Sequence, residues 1–362
     1  MNSDPLIPPR QNYEGNHRQS SGPSSRAPLG VDYHSYYDVR FDTPGDGPSA
    51  SMPIGNGDLA ANVWTVPGAI FIYLSKSDAW DENGRLVKLG RIRLTFDPNP
   101  FIDPPYCQTL RTATAEVEVR LGATNVRIWV DAHRKVLHVE VDAAKPVAMR
   151  AEVELWRLLP RELVGQELHS ATGQAGGPHP TVVAPDTVLP PTERAVWWCH
   201  RNSTSIWLEG MRLQGLDGLI GRVDDPLLDR TFGCYAEGEG LIPDGAMALV
   251  SAEPSRSIHL RVHALTTTGT TLEGWQAAMK RQVADDCQTT ATVARQNHVA
   301  WWREFWDQSY IIVTGSPAAE VVTRSYALQR YVTACAGRGA YPIKFNGSLF
   351  TFDLPDAPNG TP

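Results

Sequence analysis

The sequence predicts a mainly β protein, a large antiparallel sandwich followed by a long helix and the beginning of a helical region. Two observations carry this reading. From Tyr33 to about Thr268 apolar and polar residues alternate with period two, and near residue 270 the period changes to three and four. Turn signals between the alternating runs, at Pro67-Gly68, Gly122-Ala123 and Ala143-Ala144-Lys145-Pro146, support a third point, that the strands are short and antiparallel.

Residues 1–30 carry Pro, Ser, Gly, Asn and Arg with almost no apolar periodicity and read as a disordered tail. Beyond them Ile92, Leu94 and Phe96 alternate with Arg91, Arg93 and Thr95, and Val117, Val119 and Leu121 alternate with Glu116, Glu118 and Arg120. The same pattern recurs at Val126 to Val130, Leu137 to Val141 and Ile258 to His263. One polar and one apolar face per strand means that one side of each is buried. About a dozen such strands without intervening helices predict a β-sandwich. The segment 160–194, rich in Pro, Gly and Thr, reads as one long surface loop. From Leu272 to Trp306 an apolar stripe that includes Trp275, Met279, His298, Trp301, Trp302 and Trp306 predicts one amphipathic helix of about 35 residues. Thr270 or Thr271 is its expected N-cap. A second helix is expected over Ala318 to Gly337, stopped by Gly337 and Gly339.

Composition narrows the function classes. The chain has 362 residues, enough for two domains of ordinary size. Its 33 Lys and Arg against 40 Asp and Glu leave a formal net charge of −7, which argues against nonspecific binding to nucleic acid or to anionic membranes. No apolar run is long enough to span a bilayer. The five cysteines are widely spaced and form no C-x-x-C pair, so neither a zinc ribbon nor a disulfide framework is expected. No signal peptide is visible, which reads as cytoplasmic on sequence alone and as secreted if the true start lies upstream. Eleven Trp against nine Phe is an unusual ratio; Trp both stacks on sugar rings and fills cores.

Gly55-Asn56-Gly57-Asp58-Leu59-Ala60 has the spacing of a dinucleotide-binding fingerprint. Its context is a hairpin rather than a strand that opens a helix, so a Rossmann unit is rejected and a turn carrying Asn56 and Asp58 is expected. His259 and His263, four apart, would share a face on a strand yet sit about 13 Å apart at ~3.3 Å per residue, too far for one ion. His298 reads as a packed core residue. No metal site and no cofactor are expected. Two clusters set an aromatic ring beside amides, carboxylates or a guanidinium: Lys76 to Gly84 around Trp80, and Trp197-Trp198-Cys199-His200-Arg201-Asn202. Such a pairing suits a sugar, whose apolar face stacks while its hydroxyls take planar polar partners.

Several of these strings, in order, resemble one family. Ser51 to Leu59, Asp78 to Leu86 with Lys88 to Arg91, Trp198 to Asn202, Asp225 to Gly233, His298 with Trp301 to Trp306, and Pro342 to Phe350 are similar to the N-terminal β-domain of glycoside hydrolase family 95-like proteins, and more narrowly to the DUF5703 group. The resemblance covers roughly residues 33–354. It implies a β-super-sandwich over 31–268, a helical linker over 269–314 and, over 315–362, the first helices of an incomplete (α/α)6 barrel. In such enzymes the barrel carries the catalytic groups of an inverting hydrolysis. A complete barrel needs about twelve helices, so the resemblance places the catalytic residues beyond Pro362 and none is assigned within the chain. The implied substrate is an oligo- or polysaccharide. Asn56, Asp58, Trp80, Trp198, Arg201, Asn202 and Asn346 are the expected walls of its cleft. The alternative is a standalone carbohydrate-binding or scaffolding sandwich without hydrolase activity.

Overall fold

The computed structural model describes residues 37–172, 180–343 and 348–352. The expected tail at 1–30 and Asn346 lie outside them. The chain is mainly β, as the period-two pattern predicts. Its first half contains β1 (Val39–Phe41), β2 (Met52–Gly55), β3 (Leu59–Val66), β4 (Ala69–Trp80), β5 (Leu86–Asp97), β6 (Tyr106–Arg111), β7 (Glu116–Leu121), β8 (Thr124–Val130) and β9 (Val136–Glu154). There follow β10 (Arg161–Glu162), α1 (Gly165–Thr172), β11 (Val182–Val183), β12 (Thr187–Val188), β13 (Ala195–Arg201) and α2 (Trp207–Leu213). The second half adds β14 (Thr231–Glu239), β15 (Leu241–Pro243), β16 (Ala248–Ser251) and β17 (Ser255–Thr267), then α3 (Leu272–Asp286), α4 (Ala291–Gln308) and α5 (Pro317–Gly337).

Fifteen strands form one connected antiparallel system in two layers. One layer runs β1-β6-β7-β8-β9-β17-β14-β13-β12; the other joins β2, β3, β4 and β5 to β9, which also carries β16 and β15. Strand β9 belongs to both. Its first part pairs with β8 and β17, and its last part, from Ala148 to Glu154, pairs with β5. The expected turn at Ala143 to Pro146 is this crossing point. Pro146 has no N–H to give a ladder, and β17 shifts register between Ser255 and Ser257 opposite it, so the strand changes layers without reversing. The apolar sides of both layers meet in one core that includes Ile54, Ile72, Leu94, Ile128, Val139 and Leu260.

The helices depart from expectation at one point. The stripe from residue 272 to 306 is two helices, not one. Cys287 ends α3, and Thr290 starts α4 by accepting a hydrogen bond from the Val293 amide at 3.4 Å. The tryptophans of the stripe divide accordingly. Trp275 packs with Met279 against Trp197, Cys199 and Leu189, whereas Trp302 and Trp306 join the main core with Tyr331. Thr271 caps α3 as expected, accepting from the Gly274 amide at 3.1 Å, and Ser316 caps α5 with Pro317 behind it. His298 is a buried core residue, as its place in the stripe predicts. Its Nε2 lies 2.6 Å from the Thr114 carbonyl, and burial pushes its pKa down to about 3. The segment expected to be a long loop holds β10, α1, β11 and β12, fixed by pairing of Arg161 with Val183 and of Val188 with Trp198. Among the described residues no helix is long and apolar enough to cross a membrane.

Candidate carbohydrate cleft

Trp80 ends β4, and the turn that follows it is held from several sides. The Asp81 carboxylate, wholly buried, accepts from the amides of Asn83 and Arg85 at 3.0 and 2.8 Å and pairs with the Arg85 guanidinium at 2.8 Å. Gly84 adopts φ +73°, a left-handed conformation that disfavours other residues. Burial raises the Asp81 pKa despite Arg85 beside it.

Behind this turn runs a chain of buried charge. Glu82 Oε2 lies 2.8 Å from His200 Nε2, His200 Nδ1 lies 2.9 Å from Asp186 Oδ1, and Arg157 Nε donates to the same oxygen at 3.0 Å. Glu82 Oε1 also accepts from the Ala184 amide at 2.6 Å. Burial opposes the charge on His200, but the hydrogen bonds to Asp186 and Glu82 outweigh it and raise its pKa. Glu82 is likewise penalised by burial and then carried below its ordinary value by His200. The chain ties the β4–β5 turn, β13 and the segments at 155–157 and 184–186 into one block.

Asn202, just past β13 and fully buried, joins the two walls in front of that block. Its Nδ2 donates to the carbonyls of Trp80 at 3.0 Å and of Leu227 at 2.9 Å. Arg230, also buried, donates to the carbonyls of Pro226 and Asp78, both at 2.9 Å. The short helix α2 closes the third side. The result is a cleft of about 460 Å³, walled by the rings of Trp80, Trp207 and Tyr341 with Ile206, Met211 and Leu227, and carrying Asn83, Gln214 and Arg230 as its polar groups. Trp80 and Trp207 are half-buried and Tyr341 is exposed.

Of the seven expected wall residues, the six that are described do not gather here. Trp80 lines the cleft, and Asn202 stands directly behind its walls. Trp198 is buried in the core with its Nε1 donating to the Leu89 carbonyl at 2.6 Å. Arg201 bridges Asp229, the Thr231 hydroxyl and the Thr270 carbonyl, tying β13 to the start of α3. Asn56 and Asp58 sit in the β2–β3 turn. Asn56 donates to the carbonyls of Asp131 and Arg134 and accepts from the amides of Asp58 and Leu59, while Gly57 N–H donates to Cys335 at the end of α5. Asp58 pairs with the buried Lys76 at 2.8 Å and with Lys135 at 3.4 Å; burial opposes its charge, but these lysines hold its pKa below the usual carboxylate value. Trp207 and Tyr341 were not singled out in the sequence, and Arg230 figures there only within the string Asp225 to Gly233. They come from three separate segments, and nothing in the local pattern of each points to a shared surface.

A two-layer β protein with an aromatic-lined cleft is thus the class that fold and geometry define. Residues 40–311 match the family described as domain of unknown function (DUF5703), in its N-terminal form, and the chain belongs to that family. No curated protein matches it in sequence. Among solved structures it is similar to one described as "Putative kojibiose phosphorylase from human microbiome", at 7% identity and a TM-score of 0.46, over 85% of this chain and 42% of that one. The chain therefore spans about two fifths of that structure's length.

Proposed function

We propose that this chain is the substrate-cleft portion of a carbohydrate-active enzyme of glycoside-hydrolase type, and that the cleft between Trp80 and Trp207 takes a neutral sugar ring. The observation that supports this is the cleft itself: three aromatic residues among its walls, with an ionic block behind the turn that carries Trp80. An apolar sugar face gains most from rigid aromatic surface, and preorganised walls spare the ligand the entropy of ordering them. The only charged side chain among the described lining residues is Arg230, and two of its donors are committed to carbonyls, which favours a neutral ligand. The resemblance to family 95-like glycoside hydrolases agrees with this reading and assigns catalysis to groups outside the chain. Asn56, Asp58, Trp198 and Arg201 then serve as supports, Asn202 fixes the two walls, and Asn346 remains a wall residue on the resemblance alone.

The test is calorimetric titration of the purified chain with a panel of neutral oligo- and polysaccharides. At least one member should bind, and Trp80→Ala should weaken that binding about tenfold or more, since ~1.4 kcal/mol corresponds to a factor of ten. Binding that Trp80→Ala leaves unchanged would remove the cleft from consideration. Turnover of an aryl glycoside by this chain would overturn the placement of catalysis elsewhere.

A further inference from the structure

The structure assigns a divalent transition-metal site, of the kind zinc favours, to Glu237, His263 and Cys287, on the side of the sandwich where α3 ends. Their ligand atoms all lie within 4.8 Å of one another. Glu237 comes from β14 and His263 from the neighbouring β17, where Tyr235 opposes His263 and Glu237 opposes Arg261 in the ladder. Cys287 follows the last residue of α3. The break between α3 and α4 is what presents its thiol at the sheet.

The imidazole carries the argument. His263 is completely buried, and its Nδ1 lies 2.8 Å from Asp286 Oδ2. An ionised carboxylate only accepts, so Nδ1 carries a proton and Nε2 is the nitrogen that faces the cluster, where a metal binds in place of a second proton. That Nε2 is buried and makes no hydrogen bond, and Glu237 Oε1, a further candidate ligand atom, lies 3.5 Å from it. Between that nitrogen and the carboxylate there is a place for a cation, either a proton on the ring or a metal that replaces it. The adjacent thiol makes a metal the better candidate than a proton, because imidazole, carboxylate and thiolate together are a zinc donor set. Asp286 occupies the outer position found behind many metal-bound histidines, where a carboxylate fixes the tautomer and strengthens the ligand. Arg261 pairs with both oxygens of Glu237, its Nε 2.5 Å from Oε1 and its Nη2 3.2 Å from Oε2, and keeps the carboxylate oriented. Bonds of roughly 2.0–2.3 Å around a tetrahedral ion put ligand atoms about 3.3–3.8 Å apart, so binding closes the cluster slightly and leaves the fourth position to water. The sequence does not show this site because its ligands come from three separate elements. The histidine pair that spacing does suggest is divided: His259 lies beside His138, with Nε2 3.0 Å from its Nδ1.

The experiment is titration of the purified full chain with Co2+, read by absorption, followed by Zn2+ competition. An equimolar complex with a thiolate-to-cobalt band in the near ultraviolet is expected, and Zn2+ should displace the cobalt. Cys287→Ser, at an exposed position, should abolish that band. Asp286→Asn should weaken Zn2+ binding about 10–100-fold while keeping the band. Zn2+ should also slow alkylation of Cys287, followed by mass spectrometry of its peptide. Absence of stoichiometric uptake, a spectrum without the thiolate band, or a Cys287→Ser spectrum identical to the parent would each overturn the assignment.

Discussion

The turns at 56–58 and 81–85 both set polar side chains at the end of a hairpin, and the protein uses them in opposite ways. In the first, the amide group of Asn56 is spent on backbone: two carbonyls from the β8–β9 connection and two amides of its own turn. Gly57 is then covered by the end of α5, so closely that a Cβ would lie 2.5 Å from the Gly339 nitrogen. The turn is a mortise for a helix. In the second, the anchors are carboxylates, Asp81 and Glu82, that point inward, while the ring of Trp80 lies on the outer side. Anchoring consumes the polar groups, while the aromatic one lines the cleft. A polar motif beside an aromatic one therefore need not mean that the polar groups meet a ligand.

The largest expected effect comes from cutting the anchor of the second turn. His200→Ala leaves Glu82 and Asp186 buried without the cation between them, and should cost about 3–5 kcal/mol in urea unfolding at pH 6. The same network gives the stability profile its shape. The His200 pKa is raised on folding, so its contribution is complete below the unfolded value of about 6.5 and is lost as pH rises through the folded value. The Glu82 pKa is lowered, so its contribution is present above about 4.3 and is lost as pH falls through the folded value. The pair contributes most between those limits, and in His200→Ala the decline above that window should flatten. A loss below about 1 kcal/mol would mean that the turn does not depend on its ionic backing.

A smaller effect is expected in the first turn. Asn56→Ala removes four hydrogen bonds and leaves two partly buried carbonyls short of a donor, for about 2–3 kcal/mol of stability. Sugar binding by the folded variant should be unchanged, because the turn does not line the cleft. If Asn56→Ala folds fully and loses the sugar, the two turns are not the opposites described above.

Strand and helix positions were legible because burial imposes period two or three-to-four on the chain, and those patterns are local. The hairpin at Gly55 was legible for the same reason, against the pull of its glycine spacing. The helix break at 287–290 was not: the apolar stripe continues across it, and only the cap at Thr290 marks it. Pro146 misled in the other direction, since a proline that interrupts pairing where a strand crosses between layers reads like one that ends a strand. Of the cleft, Trp80 was legible because polar residues flank it in sequence. Trp207, Tyr341 and Arg230 were not, because their neighbourhood exists only after folding. Trp198 shows the limit of the aromatic-plus-polar signal. Its sequence neighbours Arg201 and Asn202 support other segments, while its own ring faces the core.

Trp207 gives the finest test of the contrast, because it lies on α2 rather than on either turn. Its ring is half-buried and belongs to the open wall. If the cleft binds by stacking, Trp207→Phe keeps a π-face of smaller area and should weaken sugar binding only about two- to fivefold, a fraction of the ~0.5–1.5 kcal/mol that aromatic contacts are worth beyond area. Trp207→Ala removes the face and should weaken binding about tenfold, with thermal unfolding moved far less than in His200→Ala. Combined with Trp80→Ala, the two losses should be less than additive if both rings touch one sugar unit, because removal of the first already loosens what the second holds. Strict additivity would place the rings on separate units of a longer chain and turn the cleft from a single-ring site into one that reads an oligosaccharide.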